Sequence, residues 1–292
     1  MQKGAYTLLI TPFKPDMSLD VEGLRRLVKL QLDAGVDGIA PLGVTGENTL
    51  LNIKEIELVV KTIVETAAGK AKIVPETCVS SLWEAKERAK LYADLGADYI
   101  SVFSPFFVMP KEEGVLDFYE KLADFSKLPI ILHNAKERTG VEITPQMSAK
   151  LAKHPNIIGI KDGNKGLDHL AKVIYLTKDN DFEVFTGKDT TAFPTVLIGG
   201  AGSFTVAGNA IPKVMTEMLH LVLEGKTEEA RQIHYDYYNL YEAFRFETNP
   251  MAAKMALKLM GLPCGALRAP LTELSEAKTL VLKKLMQEKN LI

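Results

Sequence analysis

The feature that most constrains the fold of this sequence is a regular alternation of short apolar runs and longer amphipathic segments. The alternation continues from the first residues to about position 225, and no linker rich in proline, glycine or serine interrupts it. Short apolar runs predict buried strands and amphipathic runs predict helices, and their alternation is typical of a parallel sheet. We count eight strand-helix pairs, which is the number that closes a (β/α)8 TIM barrel.

The predicted strands are spaced so that one helix fits between each pair. They cover 6–11, 38–42, 72–76, 99–103, 129–134, 157–161, 183–186 and 203–206. A doubly wound sheet uses the same alternation with five or six strands, and it usually carries a glycine-rich turn after the first strand. Here Thr11-Pro12-Phe13 follows the first strand, so the barrel is favoured.

From position 226 onward the pattern changes to helices alone, which we predict at 227–246, 252–260 and 274–288. We therefore expect two parts, a barrel at 1–225 and a C-terminal helical domain at 226–292. The apolar and aromatic residues of the second part must pack against another surface to be shielded from solvent, and either the barrel or another subunit can provide it.

Composition excludes several classes of partner. A net charge of -2 with a pI near 6.3 leaves no broad basic surface for nucleic acid. No apolar run approaches the length of a membrane span, so we expect no membrane partner. Two distant cysteines fit a reducing compartment, and we expect a cytoplasmic protein. The five histidines show no metal-ligand spacing, so we predict no metal site.

The sixth predicted strand ends in a lysine, Lys161. Burial lowers the pKa of a lysine by up to about 3 to 5 pKa units, and the neutral amine that results can attack a carbonyl to form a Schiff base. Lys161 shares a strand face with Gly159, which leaves space beside it. The alternative is a lysine at a strand end whose ammonium extends into solvent.

In a barrel, the carboxyl ends of the strands and the loops after them build the active site. The residues at these ends are Thr11, the loop 43–47, Glu76, Ser104, His133, Lys161, Gly187 and Phe204. We identify His133 and Lys161 as the only evident partners for proton transfer. His133 shares a strand face with Ile131, and Lys161 shares one with Gly159, so the two side chains can face one cavity. The alternative for His133 is a packing role or a single structural hydrogen bond.

Short motifs in these loops are similar to those of a known family. They are Thr11-Pro12-Phe13, Gly43-Val44-Thr45-Gly46-Glu47, Arg138-Thr139-Gly140, Gly159-Ile160-Lys161-Asp162, Gly187-Lys188-Asp189 and Glu247-Thr248-Asn249-Pro250. In their order the chain resembles the pyruvate-dependent class I aldolases that include dihydrodipicolinate synthase and N-acetylneuraminate lyase. Asn249-Pro250 and the stretch 267–271 look more like the synthase branch.

The resemblance implies a (β/α)8 barrel with C-terminal helices, a homotetramer, no metal or organic cofactor, and an imine between pyruvate and Lys161. It implies that Thr45 and its loop hold the pyruvate carboxylate, and that Arg138 binds a second carboxylate near the entrance. The backbone around Gly187 and Phe204 is implied to complete the pyruvate pocket. The substrate-binding residues expected on this basis are Val44, Thr45, Gly46, Arg138, Gly187 and Phe204.

Three positions depart from the synthase pattern. Val44 stands where the pattern has a threonine, His133 where it has a tyrosine, and Phe106 or Phe107 where it has a second tyrosine lent across a subunit interface. In the synthases these three hydroxyls relay protons, and valine and phenylalanine carry none. We expect His133 to replace them, because an imidazole can shuttle protons near neutral pH.

Three functions are compatible with this sequence. The first is condensation of pyruvate with aspartate semialdehyde, the step of lysine biosynthesis performed by the synthases. The second is cleavage of a 2-keto-3-deoxy sugar acid or of N-acetylneuraminate to pyruvate and an aldehyde. The third is a binding or regulatory protein that kept the barrel and lost turnover.

Two further residues have an expected structural role: Glu47 as a carboxylate that bonds loop amides, and Trp83 as part of the core.

Overall fold

The computed structural model describes residues 1–163 and 166–292, and within them nine strand segments form one parallel sheet. The strand segments are β1 (Gly4–Leu8), β2 (Gly38–Ala40), β3 (Lys72–Ile73), β4 (Glu76–Thr77), β5 (Ile100–Phe103), β6 (Ile130–Asn134), β7 (Ile157–Asp162), β8 (Glu183–Thr186) and β9 (Gly202–Thr205). Their hydrogen-bonded order is β3-β2-β1-β9-β8-β7-β6-β5-β4.

The two ends of this order, β3 and β4, are pieces of one barrel strand. Val74 N donates to Ile39 O on the side of β2, and Ser101 N donates to Pro75 O on the side of β5. Pro75 has no amide hydrogen to give to a ladder, which explains the break between the two pieces. The sheet therefore closes into the eight-stranded barrel that the alternation predicted.

The helices follow the strands as expected. They are α1 (Val21–Asp33), α2 (Ile53–Ala67), α3 (Leu82–Asp94), α4 (Glu112–Phe125), α5 (Lys136–Thr139), α6 (Pro145–Leu151), α7 (Leu167–Thr177), α8 (Ala192–Leu197), α9 (Pro212–Leu223), α10 (Thr227–Asp236), α11 (Tyr238–Ala243), α12 (Met251–Leu259) and α13 (Glu276–Glu288). Several begin at caps visible in the sequence: Asp20 accepts from Gly23 N, and Thr144 precedes a proline at the first turn. Every described helix is too short or too polar to span a bilayer.

Two details differ from the predicted elements. The helix predicted at 227–246 is two helices, because Tyr237 adopts φ -108° and ψ 2° between α10 and α11. The short helix α5, which carries Arg138, lies where the sequence predicts a loop. The boundary placed at 225/226 falls in the connection between α9 and α10, and it stays a prediction.

Two apolar layers hold the barrel together. The inner layer fills the barrel below its mouth and consists of Tyr6, Leu8, Ala40, Val74, Ile131, Phe185, Ala201 and Phe204. A larger layer lies between the strands and the surrounding helices. The expectation that Trp83 belongs to the core was wrong, since its side chain is 74% exposed on the first turn of α3.

The C-terminal segment reaches back to the barrel mouth. Asn249 Nδ2 donates to Thr45 Oγ1 over 2.8 Å. Lys254 Nζ lies 2.6 Å from Glu47 Oε1, and Arg268 N donates to Glu47 Oε2 over 3.1 Å. Glu47 thus joins the loop 43–47 to the C-terminal segment, which agrees with its expected structural role.

Candidate active site

Three buried ionisable side chains meet at the mouth of the barrel, at the carboxyl ends of β4, β6 and β7. Lys161 Nζ donates a hydrogen bond to Glu76 Oε1 over 2.6 Å. His133 Nδ1 lies 3.0 Å from the same oxygen. All three residues are at least 95% buried. The expectation that His133 and Lys161 face one cavity is confirmed, but Glu76 stands between them as a third ionisable group.

Strand geometry brings these side chains together. Side chains alternate along a strand, so residues two apart point the same way. Val74 and Ile131 point into the barrel core, and Glu76 and His133 follow each of them by two residues. His133 pairs with Lys161 in the register of β6 and β7. The three ionisable groups therefore form the next layer above the apolar barrel interior.

His133 and Glu76 are in close polar contact. His133 Nδ1 lies 3.0 Å from Glu76 Oε1, and the interaction between the two groups contributes to the pKa of each. The imidazole packs on Phe103 with 3.8 Å between ring centroids. This packing fixes the ring beside Glu76 and Lys161.

Burial and mutual charge shift the pKa values of all three groups. Burial alone raises the pKa of Glu76, but the charges of Lys161 and His133 outweigh it and lower the value to about 2. Burial lowers the pKa of Lys161, and Glu76 opposes that shift. Burial and then the charge of Lys161 lower the pKa of His133. The lowered pKa of Glu76 favours a charged Glu76–Lys161 pair, whereas the lowered pKa of Lys161 favours a neutral one.

We favour the charged pair in the resting site. A contact of 2.6 Å between opposite charges is close enough to offset desolvation, and His133 adds a second polar neighbour. The expected neutral amine is therefore reached by transfer of a proton to a neighbour, rather than by burial alone.

The second oxygen of Glu76 lies against the backbone of Gly43. This oxygen, Oε2, is buried and has no hydrogen-bond partner among the described residues. A Cβ built on Gly43 would lie only 1.6 Å from it. The glycine that opens the loop 43–47 is therefore required for Glu76 to occupy this position.

A cavity opens directly above these groups, and we call it the inner cavity. Its lining includes Thr45, Glu76, His133, Arg138, Lys161 and Gly187, and its volume is about 140 Å³. A neighbouring outer cavity of about 280 Å³ shares Val44, Arg138 and Asn249 with it and is mostly apolar. Of these two cavities, the inner one is lined by Lys161 and the outer one is not, so the chemistry belongs in the inner cavity.

Two residues of the loop 43–47 border the inner cavity. Val44 and Thr45 both line it, and in the described ranges neither amide donates a backbone hydrogen bond. Gly46 allows the tight turn, because a Cβ there would lie 2.6 Å from Leu42 N. Two free amides side by side can bind a carboxylate.

The other expected binding residues occupy distinct places. A Cβ on Gly187 would lie 3.3 Å from Lys161 Cε, so this glycine leaves the lysine stem free along the cavity wall. The Phe204 ring lies 5.3 Å from Lys161 Nζ and stacks on Tyr6. It is fully buried below the lysine, and Val206 rather than Phe204 lines the inner cavity.

Two arginines border the inner cavity at its rim. Arg138 lies on α5, directly after β6, and Arg245 follows α11 in the C-terminal segment. Both side chains are exposed and line the cavity, as do Glu137 and Glu247. Arg138 was expected at the entrance and Arg245 was not. The rim can therefore bind an anion on two sides.

The sequence also held a signal for Glu76. It is the last residue of the predicted strand 72–76, and it lies two positions after Val74, an apolar residue. The same alternation that selected His133 and Lys161 places Glu76 on the inward face. Arg245 carried no such signal, since it lies in the helical segment whose docking is set by tertiary packing.

In the described part of the chain, no group of three or more histidine, cysteine, aspartate or glutamate side chains is arranged to hold a metal ion. The ionisable groups that this site offers for chemistry are the amine of Lys161, the carboxylate of Glu76 and the imidazole of His133.

A parallel (β/α)8 barrel with a buried, hydrogen-bonded lysine at its mouth is the framework of the lysine-dependent aldolases and lyases. The profile of the Dihydrodipicolinate synthetase family matches residues 1–289. This chain therefore belongs to that family, as its motifs predicted, and it is an enzyme of the lyase class.

Relatives cover the whole chain. The 4-hydroxy-tetrahydrodipicolinate synthase of Methanospirillum hungatei JF-1 is 38% identical over 288 residues, 98% of this chain and 99% of that relative. The crystal structure of dihydrodipicolinate synthase from Thermotoga maritima superposes with a TM-score of 0.97 at 34% identity, with 100% of both chains covered. The chloride-inhibited dihydrodipicolinate synthase of Acinetobacter baumannii, complexed with pyruvate, has a TM-score of 0.97 at 31% identity over 100% of both chains.

Proposed function

We propose that this enzyme captures pyruvate as an imine on Lys161 and uses the derived enamine to make or break a carbon–carbon bond. The observation that carries the proposal is the amine of Lys161, which is 97% buried and opens on the inner cavity. A buried amine beside a carboxylate can lose its proton and attack a carbonyl carbon. The relative from Acinetobacter baumannii was solved with pyruvate bound, which supports this substrate.

The free amides of Val44 and Thr45 are the proposed site for the pyruvate carboxylate. Fixed N–H donors in a closed cavity bind an anion without reorganisation. With the carboxylate held there, the carbonyl carbon of pyruvate comes within reach of Lys161 Nζ. His133 borders the same cavity, and we assign it the transfer of a proton to or from the aldehyde oxygen.

The second substrate is proposed to be an aldehyde that carries an anionic group. Arg138 and Arg245 border the cavity from different elements, and a guanidinium binds a carboxylate through two parallel hydrogen bonds. The names of the curated relatives, 4-hydroxy-tetrahydrodipicolinate synthase, favour aspartate semialdehyde and a step in lysine biosynthesis. The protonated imine is itself the electron sink, so the proposed reaction uses no metal or organic cofactor.

A second candidate reaction is cleavage of a 2-keto-3-deoxy acid to pyruvate and an aldehyde. The specific observation is the set of residues in the expected relay positions. Val44 and Phe106 line the cavities where hydroxyls were expected, and His133 occupies the third position. A site with different proton carriers suits a different aldehyde partner. Turnover of pyruvate with aspartate semialdehyde, compared with cleavage of keto-deoxy acids, separates the two reactions.

The test of the imine is reduction with borohydride in the presence of pyruvate, followed by mass spectrometry of the peptides. We expect a reduced pyruvate adduct on the peptide that contains Lys161 and none on the variant Lys161→Arg. A wild-type protein without an adduct would exclude the proposed reaction and leave a binding or regulatory role. Turnover after dialysis against a chelator is expected to be unchanged.

We also propose that the chain self-associates, as the resemblance implied. Phe107, Val108 and Met109 are 94%, 66% and 59% exposed in one loop, and Trp83 is 74% exposed. Large exposed apolar side chains grouped in this way are typical of a protein interface. Sedimentation equilibrium is expected to give a tetramer, and a monomer at all concentrations would contradict this proposal.

A further inference from the structure

We infer that Glu76 is the general base of this site, first for the ammonium of Lys161 and then for the C3 proton of the bound pyruvate. The inference rests on the proposed function, because it needs the imine to form. It identifies a proton carrier that neither the motifs nor the relay positions indicate.

The first support is direct contact with the reacting atom. Glu76 Oε1 accepts a hydrogen bond from Lys161 Nζ over 2.6 Å, and Nζ is the atom that forms the new bond. In the described ranges, no other carboxylate lies within ion-pair distance of this amine. Ser101 Oγ donates to the same oxygen over 3.3 Å and helps to fix it.

The second support is the free oxygen of Glu76. Oε2 is buried without a hydrogen-bond partner among the described residues, although Glu76 borders the inner cavity. A buried carboxylate oxygen left without a donor costs free energy, so its retention here indicates a use. A proton taken from the substrate makes the carboxyl group neutral, and a neutral group costs much less to bury than a charged one.

The third support is the position of Glu76 beside His133. His133 stands where the synthase pattern has a relay tyrosine, and its Nδ1 is 3.0 Å from Glu76 Oε1. Val44 supplies no hydroxyl at the second relay position. The carboxylate therefore lies beside the place from which the expected proton carriers are missing.

Imine formation needs two proton transfers, and one carboxylate can perform both. Glu76 takes a proton from the Lys161 ammonium, and the free amine attacks C2 of pyruvate to form the C–N bond of a carbinolamine. The nitrogen proton and the proton on Glu76 are then available to the C2 oxygen. The C–O bond breaks, water leaves, and a protonated imine remains on Nζ beside the carboxylate of Glu76.

The enamine forms when Glu76 takes a proton from C3. The C–H electron pair becomes the C2–C3 double bond, and the C=N π pair moves onto nitrogen, which becomes neutral. C3 is only two bonds from Nζ, so a carboxylate in hydrogen-bond contact with Nζ is close to its hydrogens. When the enamine attacks an aldehyde, the proton on Glu76 neutralises the new alkoxide, either directly or through His133.

The charge on nitrogen controls how strongly Glu76 holds a proton. The positive charge of Lys161 keeps the pKa of Glu76 low, while burial raises it. When nitrogen loses its charge in the enamine, the burial effect is less opposed and the carboxylate binds the C3 proton more tightly. The base is thus weak before the proton transfer and a better proton acceptor as the transfer proceeds.

The test is exchange of the pyruvate methyl protons with deuterium oxide, followed by proton NMR without any aldehyde. We expect the wild-type enzyme to exchange them and Glu76→Gln to exchange them at least about 100-fold more slowly, the usual size of a general-base effect. Borohydride trapping on the same sample shows whether the imine is present. Asp98→Asn is the matched control, because it removes a carboxylate 2.7 Å from Lys72 and should exchange at the wild-type rate.

A second variant, Glu76→Ala, tests the inference in the case that the Glu76→Gln protein forms no imine. Glu76→Ala removes the side chain, and added formate is expected to restore exchange in a concentration-dependent way. A Glu76→Gln enzyme that carries the imine and exchanges at the wild-type rate would overturn the inference. So would a folded Glu76→Ala protein that formate does not rescue. A wild-type enzyme without an adduct would instead refute the proposed function, so the two failures are distinguishable.

Discussion

Replacing Lys161 with methionine removes the ammonium and keeps a side chain of similar length in the barrel mouth. Glu76 is then a fully buried carboxylate without the cation that lies 2.6 Å from it in the wild type. His133 remains nearby, but burial lowers its pKa, so it is a poor replacement for the lost charge. We expect Lys161→Met to lower the free energy of unfolding.

The size of the effect follows from Glu76. Its pKa is lowered from 4.5 to about 2 in the folded protein, and at about 1.4 kcal/mol per pKa unit this depression is worth roughly 3 kcal/mol at neutral pH. Breaking one partner of a buried pair typically costs about 3 to 5 kcal/mol, which agrees. Because the folded pKa is below the unfolded one, this stabilisation is present above about pH 4.5 and fades as the pH falls towards 2.

The assay is thermal unfolding at pH 7, repeated near pH 4. We expect Lys161→Met to unfold about 5 to 8 °C below the wild type at pH 7, with a smaller gap near pH 4. The double variant Lys161→Met with Glu76→Gln should recover more than half of the loss, since no charge remains buried. Lys72→Met is the control: its pair with Asp98 is partly exposed, so it should cost about 1 kcal/mol or less. A double variant no more stable than Lys161→Met alone would refute this reasoning.

Three further predictions concern the cavity walls. Gly43→Ala should reduce turnover at least about 10-fold and lower stability by about 1 to 3 kcal/mol, because its Cβ would lie 1.6 Å from Glu76 Oε2; unchanged kinetics would show that Glu76 can move freely. Arg245→Gln should raise KM for an anionic aldehyde about 10-fold or more, as expected for one lost charged hydrogen bond, while the rate of pyruvate methyl exchange stays unchanged. If the exchange rate falls by the same factor, Arg245 binds pyruvate instead. Arg138→Gln provides the comparison. His133→Phe should slow turnover with the aldehyde by about 100-fold and affect methyl exchange less; unchanged turnover would exclude His133 as a proton carrier.

The barrel was predictable because its signals are local. Each strand is a short apolar run and each helix has its own apolar face and cap, as at Asp20, so the order of elements follows from neighbouring residues alone. Breaks such as the one at Tyr237 were not predictable. Its backbone angles of φ -108° and ψ 2° depend on how α10 and α11 pack, and the sequence there carries no proline or glycine to indicate it.

The site was predictable in part for the same reason. His133 and Lys161 could be paired because alternation along a strand fixes which side chains point inward, and the same rule would have selected Glu76. Contacts between distant segments could not be foreseen. Arg245 and the bond from Asn249 to Thr45 depend on docking of the C-terminal helices against the mouth, which no local pattern encodes.

The most direct test of covalent capture is a crystal structure of the enzyme with pyruvate. We predict continuous density from Lys161 Nζ to C2 of pyruvate, with the carboxylate on the amides of Val44 and Thr45 and C3 within about 4 Å of a Glu76 oxygen, close enough for proton transfer. Pyruvate bound without that link, while Lys161 still donates to Glu76 as in the free enzyme, would contradict the account.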